Sequence, residues 1–132
     1  MMDLDKFKEE IVEDTKIDEM NLMEKQMMLP AIKHKWAARL IEKKRQLNSL
    51  NKKKDGLKER VLDSLKEKGM PPGIPKTALD KKIESSETIL KIQEEIEDVK
   101  LHIEYLEKIE TICRSMTYDL KNIIELTKLE TT

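Results

Sequence analysis

Basic side chains are concentrated in one short stretch of the chain, residues 51–60, with the sequence NKKKDGLKER. Five of these ten residues are lysine or arginine and two are acidic. Ammonium and guanidinium groups bind anions, and a row of them is typical of surfaces that neutralise phosphates. The stretch could equally be a solvated helix face or a basic linker, so its surroundings have to decide.

Charge is strongly segregated along the rest of the chain. Residues 1–32 hold 4 basic and 9 acidic side chains, residues 33–60 hold 11 and 3, and residues 61–132 hold 11 and 15. The middle segment, called the basic block below, therefore has a net charge of +8 between arms of −5 and −4. Charge alone leaves two interpretations open: the block pairs with the acidic arms, or it binds a polyanion.

Residue types that carry catalysis are sparse. His34 and His102 are far apart, and Cys113 has no histidine near it in the sequence. Three glycines cannot build a GxxxxGK phosphate loop, and no metal-ligand spacing occurs. We therefore expect a protein that is not an enzyme and that uses no cofactor and no metal.

The cellular location follows from two further observations. A single cysteine allows no disulfide within the chain and fits a reducing compartment. No apolar run approaches the roughly 20 residues that span a bilayer. We expect a cytoplasmic protein with no membrane contact.

The composition predicts long helices. Charged residues make up 40% of the chain and aromatic residues 3%, which suits helices with one narrow apolar stripe. Leu4, Phe7 and Ile11 predict a short helix near residues 3–14. Such a chain buries little apolar surface alone, so we expect it to form oligomers.

The next helix, which Asp18 could cap, is expected to be interrupted at Pro30, because proline lacks a backbone N–H. From Ala31 we expect a long helix that Gly69 stops. Its apolar seam advances in steps of three and four and contains two lysines. The seam residues are Trp36, Leu40, Lys43, Leu47, Leu50, Lys54, Leu57 and Val61.

Glycine and proline divide the chain at GMPPGIP, residues 69–75, which cannot continue a helix. TALD at residues 77–80 resembles a capping box for the helix that follows. We therefore expect an N-terminal helical region with the basic helix (1–68), a Pro/Gly hinge (69–76) and a C-terminal oligomerisation region (77–132).

The last region has the clearest heptad-like pattern. One stripe follows Ile89, Ile92, Ile96, Val99, Ile103, Leu106, Glu110, Cys113, Thr117, Leu120, Ile124 and Thr127. A second stripe follows Ile109, Ile112, Met116, Ile123 and Leu126. Two stripes need cover on more than one side, which indicates a bundle of several chains. The fold class is all-α, a helical hairpin or bundle with a coiled-coil-like C-terminal helix. We assign oligomerisation to Ile96, Ile103, Leu106, Cys113, Leu120 and Ile124.

A helical projection of the basic block at about 100° per residue sorts its cations. Arg45 and Lys52 lie together, and Lys53 and Arg60 form an adjacent strip. Lys58 and Arg60 diverge by about 200°, so we expect an oligomer to bring flanks of neighbouring chains into one positive rim. Few aromatic residues are available for base stacking, which favours salt-sensitive binding of a polyanion without sequence preference.

Four stretches carry a resemblance to a known family: IDEMNL (17–22), KHKWAARL (33–40), LKER (57–60) and CRSMTYDLKNIIELTKLE (113–130). In order and spacing they resemble the UvsY family of recombination mediators of tailed phages. GMPPGIP and Glu59 depart from the family's pattern, and Glu59 adds a negative charge within LKER.

The resemblance implies an all-helical, non-enzymatic protein that assembles through its C-terminal region into a ring-like hexamer or heptamer. It implies binding of single-stranded DNA without sequence preference, in the cytoplasm of an infected bacterium. It also implies loading of a RecA-like recombinase onto DNA covered by single-strand-binding protein. Lys58 and Arg60 match the family's DNA-binding motif. Charge alone adds further candidates: Lys52, Lys53, Arg45, Lys35 and Lys54.

Two alternatives remain at this point. The first is a structural coiled-coil adaptor or scaffold in which the basic block pairs with acidic helices. The second is a small transcription or RNA regulator, which would need contacts to base edges.

Overall fold

Four helices and no strand make up the secondary structure of residues 4–71 and 73–131, which a computed structural model describes. The helices are α1 (Leu4–Thr15), α2 (Leu22–Glu67), α3 (Lys76–Glu84) and α4 (Glu87–Thr131). The all-α prediction is confirmed, and α2 and α4 are long, with 46 and 45 residues. None of these helices is long and apolar enough to cross a membrane.

The chain forms two compact units. The first unit takes in the residues up to Glu42 and those from His102 onward, and the second unit is Lys43–Leu101. Both α2 and α4 therefore contribute to both units. The functional division expected around residues 69–76 is a different one, and it stays a prediction.

In the first unit, α1 packs on the early part of α2. Phe7 and Ile11 are buried, as their spacing predicts. The ring of Phe7 meets Trp36 edge-on, with centroids 5.8 Å apart and the planes at 74°. Trp36 is only 1% exposed, as its place in the predicted apolar seam indicates.

A second part of this core joins α2 to the end of α4. It contains Leu22, Leu29, Met116 and Leu120, with Ile17 and Ile124 packed against it. The turn that leads into α2 is stabilised by Asp18, whose Oδ1 accepts the backbone N–H groups of Met20 and Asn21, each at 2.9 Å. The predicted capping role of Asp18 thus applies to the turn just before the helix.

Pro30 lies inside α2, so the expected interruption and new start at Ala31 are wrong. A proline within a helix costs about 3 kcal/mol, because a hydrogen bond is lost and its ring crowds the preceding turn. Leu29 and Ile32 on either side are buried. Full burial of such side chains contributes about 1.5–3 kcal/mol each, which is enough to offset that cost.

Gly69 ends α2, as predicted. It has a φ of 80°, a left-handed conformation that glycine adopts without steric cost. The N–H of Met70 donates to the carbonyl of Leu65 at 3.3 Å, and the N–H of Gly69 donates to Lys66 at 3.2 Å. These two bonds form a Schellman motif, which satisfies carbonyls that the helix end leaves unpaired.

The capping box expected at TALD is wrong. Helix α3 begins at Lys76, its N-cap is Pro75, and no side chain caps it, so Thr77 lies within the helix. Proline fixes φ near the value that the chain needs here, −57°, without a side-chain bond. A separate α3 was not expected; it ends before Ser85, and the Ser86 hydroxyl accepts the N–H of Ile89 at 3.4 Å where α4 begins.

The buried stripe of α4 follows the prediction up to Leu106 and then changes register. Beyond that point the buried residues are Ile109, Cys113, Met116 and Leu120. Glu110 and Thr117, which the regular pattern placed in the seam, are exposed. Two consecutive three-residue steps, from Ile103 to Leu106 to Ile109, act as a three-residue insertion in the heptad pattern and shift the seam onto part of the second stripe.

Candidate nucleic-acid interface

The basic part of α2 in the second unit has one partly buried edge. Lys54 occupies the predicted seam position, and its Nζ donates to Gln93 Oε1 of α4 at 2.6 Å. The other seam members in this unit are also partly buried: Lys43, Leu47, Leu50, Leu57 and Val61. The stem of Lys54 therefore packs while its ammonium group bonds to a neighbouring helix.

Besides Lys44 and Lys66, four cations of α2 are exposed: Arg45, Lys52, Lys53 and Arg60. At about 100° per residue they fall within an arc of about 100°, and we call this surface the cationic face. Ser49 and Gly56 lie between its two strips. From Arg45 to Arg60 the helix rises about 22 Å, so the cationic face is long enough to follow several phosphates.

Three members of the cationic face have no carboxylate partner among the residues that the structure describes. Lys52, Lys53 and Arg60 make no hydrogen bond or ion pair within residues 4–71 and 73–131. An unpaired cation is held by water alone, so it can exchange that water for phosphate without first losing a protein contact.

Lys58 lies on a different side of α2 and is already paired. Its Nζ is 2.6 Å from Glu84 Oε1 at the end of α3. The hydrogen bond with Glu84 raises the pKa of Lys58 against the opposing effect of burial, and the charges of Glu84, Asp55 and Asp80 add smaller upward contributions. Lys58 and Arg60 point in different directions, as expected, and they also have different surroundings: Lys58 is paired with Glu84, whereas Arg60 is exposed.

Lys35 belongs to the first unit and contacts α1. Its Nζ lies 2.5 Å from Asp14 Oδ2 and 3.4 Å from Glu10 Oε1. The same Asp14 oxygen accepts the indole N–H of Trp36 at 2.8 Å. Lys35 therefore joins α1 to α2 and is not grouped with the cationic face.

Arg39 is a contact residue that sequence reasoning missed. Its guanidinium forms a two-point ion pair with Glu10, in which Nη2 is 3.1 Å from Oε1, and stacks 4.8 Å from the centroid of the Trp36 ring. The pairing with Arg39 lowers the pKa of Glu10, with help from Lys35 and against the effect of burial. The signal was present: Glu10 and Asp14 are four residues apart, a spacing that puts both carboxylates on one face of α1.

The residues assigned to oligomerisation lie in the core of a single chain. Ile96, Ile103, Leu106, Cys113 and Leu120 are buried, and Ile124 is partly buried. Their burial therefore needs no second chain. Burial also raises the pKa of the Cys113 thiol, with a smaller contribution from the Asp14 charge, as fits a packed and unreactive cysteine.

An apolar stripe remains uncovered on α4. Ile112, Ile123 and Leu126 are 46%, 36% and 60% exposed and lie within about 60° of one another in projection. All three belong to the predicted second stripe. We call them the outer α4 stripe.

In the described part of the chain, no group of three or more His, Cys, Asp or Glu residues could hold a metal ion. A shallow cleft in the first unit is lined by Lys33, Trp36, Ala37, Glu110, Cys113 and Arg114. Its three charged side chains are already engaged, since Lys33 donates to Thr117 at 2.5 Å and Arg114 donates to Glu110 at 3.3 Å.

Comparison with known proteins connects this helical, cation-bearing architecture to a family. The family described as "Recombination, repair and ssDNA binding protein UvsY" matches residues 10–132. The chain belongs to the UvsY family. Membership assigns it generally to recombination and repair and to the binding of single-stranded DNA, and it confirms the resemblance to this family noted from the sequence.

The fold is similar to crystal structures of the bacteriophage T4 recombination mediator protein UvsY. The lattice type II structure has 16% identity and a TM-score of 0.83, with 100% of both chains covered. Lattice type IV gives 16% and 0.84, covering 98% of this chain and 99% of that one. Lattice type III gives 18% and 0.78, covering 99% and 100%. At identities this low, the structural similarity shows a shared fold alone. A search among curated proteins found no match.

Proposed function

We propose that the protein binds single-stranded DNA through its phosphates, without sequence preference, along the cationic face of α2. The observation that carries the proposal is the set of exposed cations Lys52, Lys53 and Arg60, which have no partner within the described residues. Arg45 lies on the same face, and Lys58 and Lys54 flank it as further contacts once their own partners release them. Lys35, which is held by α1, is the weakest candidate of the original set.

We propose further that the protein is a recombination mediator, not an enzyme. In this role it loads a RecA-like recombinase onto DNA covered by single-strand-binding protein, in the cytoplasm of an infected bacterium. The charge pattern supports the proposal: many modest phosphate contacts repeated over an oligomer hold DNA firmly, yet each can be released singly. The acidic residues of α1, such as Glu9 and Glu13, are exposed and offer a surface to the partner proteins.

The proposed assembly is a ring-like hexamer or heptamer that uses the outer α4 stripe. Exposed Ile112, Ile123 and Leu126 favour this surface over the residues first assigned, because those already fill the core of one chain. A ring would bring the cationic faces of neighbouring chains together and lengthen the path available to DNA.

The DNA-binding proposal is tested with Lys53→Ala combined with Arg60→Ala, two exposed members of the cationic face. Loss of two exposed phosphate contacts, each worth up to about 1 kcal/mol, should weaken binding of a labelled single-stranded oligonucleotide by roughly tenfold. The slope of log affinity against log salt should become shallower by about 0.7 for each lost contact. Fluorescence anisotropy across a salt series measures both quantities.

The matched control is Lys81→Ala combined with Lys82→Ala, which removes the same charge from exposed positions of α3 outside the basic block. The two double variants should differ clearly. If they weaken binding equally, only overall charge matters and the cationic face has no special role.

A second candidate function is a structural adaptor with no nucleic-acid role. The ion pairs of Lys35 with Asp14 and of Lys58 with Glu84 favour it, since part of the basic block does pair with acidic helices. The wild-type protein decides between the two: an adaptor shows little affinity for single-stranded DNA at about 0.15 M salt.

A further inference from the structure

The second unit contains a three-residue charge cluster that the DNA-binding proposal leaves unexplained. Glu84 Oε1 lies 2.6 Å from Lys58 Nζ, and Glu84 Oε2 lies 3.9 Å from Lys54 Nζ. The two oxygens of one carboxylate are thus directed to two different ammonium groups. Two non-bridging oxygens of a phosphate could make the same pair of contacts.

The two lysines differ in how firmly they are held. Lys54 also donates to Gln93 Oε1 at 2.6 Å, and Gln93 in turn donates to Glu97 Oε1 at 2.7 Å. Lys58 has only Glu84 within bonding distance among the described residues. Removal of Glu84 would therefore leave Lys54 in place and free Lys58 to bind another anion.

Glu84 is placed where it can be displaced at small cost. Its side chain is 48% exposed and that of Lys58 is 37% exposed, so water and salt screen their attraction. Glu84 is also the last residue of α3, where the negative end of the helix dipole disfavours a carboxylate. The lysines compensate for that unfavourable position, and the hydrogen bond from Lys58 lowers the pKa of Glu84.

We propose that Glu84 is an internal competitor of DNA: its carboxylate occupies a phosphate position on Lys58 and Lys54 and must leave before a DNA phosphate binds there. This inference rests on the proposed DNA-binding function and adds a residue that sets its strength. One ion pair is exchanged for another, so the net gain at this position is small. DNA is consequently held less tightly than the number of lysines suggests, which helps its release to a second protein.

The test compares Glu84→Gln with Glu87→Gln. Both changes remove one negative charge, but Glu87 is an exposed residue of α4 whose nearest cation is Lys91 at 3.7 Å. Binding of a fluorescein-labelled oligothymidylate is measured by anisotropy at several salt concentrations. Glu84→Gln should tighten binding by about two- to fivefold per site, the range expected for loss of one exposed ion pair, whereas Glu87→Gln should change it little.

A double-mutant cycle links the effect to Lys58. In a Lys58→Ala background, the gain from Glu84→Gln should fall toward that of Glu87→Gln, because Lys58, the closer of the two competed cations, is absent. Circular dichroism melting checks that every variant is folded. Charge reversal supplies a second comparison: Glu84→Lys should tighten DNA binding more than Glu87→Lys does.

The possible failures are distinguishable. If wild-type protein binds DNA and the two glutamine variants bind equally tightly, Glu84 does not compete and the inference is wrong while the proposed function stands. If the Glu84→Gln gain persists in full without Lys58, the inference is also wrong. If wild-type protein shows no salt-sensitive binding, the proposed function fails and the inference fails with it.

Discussion

At the scale of single residues, the basic block consists of two kinds of cation. Lys35, Lys54 and Lys58 contact acidic or amide side chains of other helices. Lys52, Lys53 and Arg60 have no such contact within the described residues. The pairing interpretation of the block's charge therefore holds for the first group, and binding of a polyanion by the second group stays a proposal.

The cations that are already paired are tested by Glu10→Gln, which removes the carboxylate partner of Arg39 and Lys35. The folded-state pKa of Glu10 lies below its usual 4.5, chiefly through the hydrogen bond from Arg39. Its stabilising effect is therefore present above that pH and is lost as the pH falls through the lowered pKa. At neutral pH the variant should lose up to about 1 kcal/mol of stability, since these side chains are partly exposed.

Urea denaturation at neutral pH and at about pH 3 measures this effect. The difference between wild type and variant should shrink at the lower pH, because protonation of Glu10 removes carboxylate charge that the glutamine variant never has. The neighbouring exposed Glu9→Gln is the control and should have little effect at either pH. An undiminished difference in acid would show that the Glu10 carboxylate charge is not the cause.

At the scale of the elements, α2 shows which local signals are decisive. Pro30 does not break it, because buried neighbours hold the turn together, whereas Gly69 ends it with a Schellman motif. Gly56 has neither role: a Cβ atom added there would meet nothing within 4 Å. Glycine is therefore expected to have opposite effects on the stability of the protein at positions 56 and 69.

Two alanine substitutions should show this contrast. Gly56→Ala should stabilise the protein by about 0.5–1 kcal/mol, because glycine in a helix interior loses more backbone freedom on folding. Gly69→Ala should destabilise it by roughly 1–2 kcal/mol, since alanine is strained at a φ of 80°. Thermal melts followed by circular dichroism measure both changes in stability. If both variants were stabilised, or both destabilised, the assigned end of α2 would be contradicted.

At the scale of the whole molecule, α4 carries two apolar stripes with different surroundings. The inner one fills the core of a single chain, including Leu106 and Leu120, which are 0% and 1% exposed. The outer α4 stripe is free to meet another chain. Assembly and folding should therefore respond to different residues of the same helix.

Leu126→Asp should separate the oligomer into smaller species without unfolding the chain, because Leu126 is 60% exposed. Leu120→Asp should instead unfold it, since an isolated charge cannot be buried without a partner. Light scattering gives the mass and circular dichroism the helix content. Leu101→Asp, at an exposed leucine of the second unit, is the control. A wild-type mass for Leu126→Asp would rule out the outer α4 stripe as the contact between chains.

The sequence by itself determined the helical class, the loop after Gly69, the buried stripe of α4 up to Leu106 and the position of the basic block. These features depend on residues a few positions apart, so local spacing, glycine and proline are sufficient signals. Tertiary structure alone decided that α2 continues through Pro30, where packing outweighs a local preference.

Only the tertiary structure decided which carboxylate meets which lysine. Lys35 and Glu10 are 25 positions apart. Lys58 of α2 meets Glu84 of α3, which follows it in the chain after a loop. Such pairs depend on the register with which distant helices pack, and a difference of one residue turns a side chain by about 100°. The same register decided which stripe of α4 is buried and which stays available to a partner.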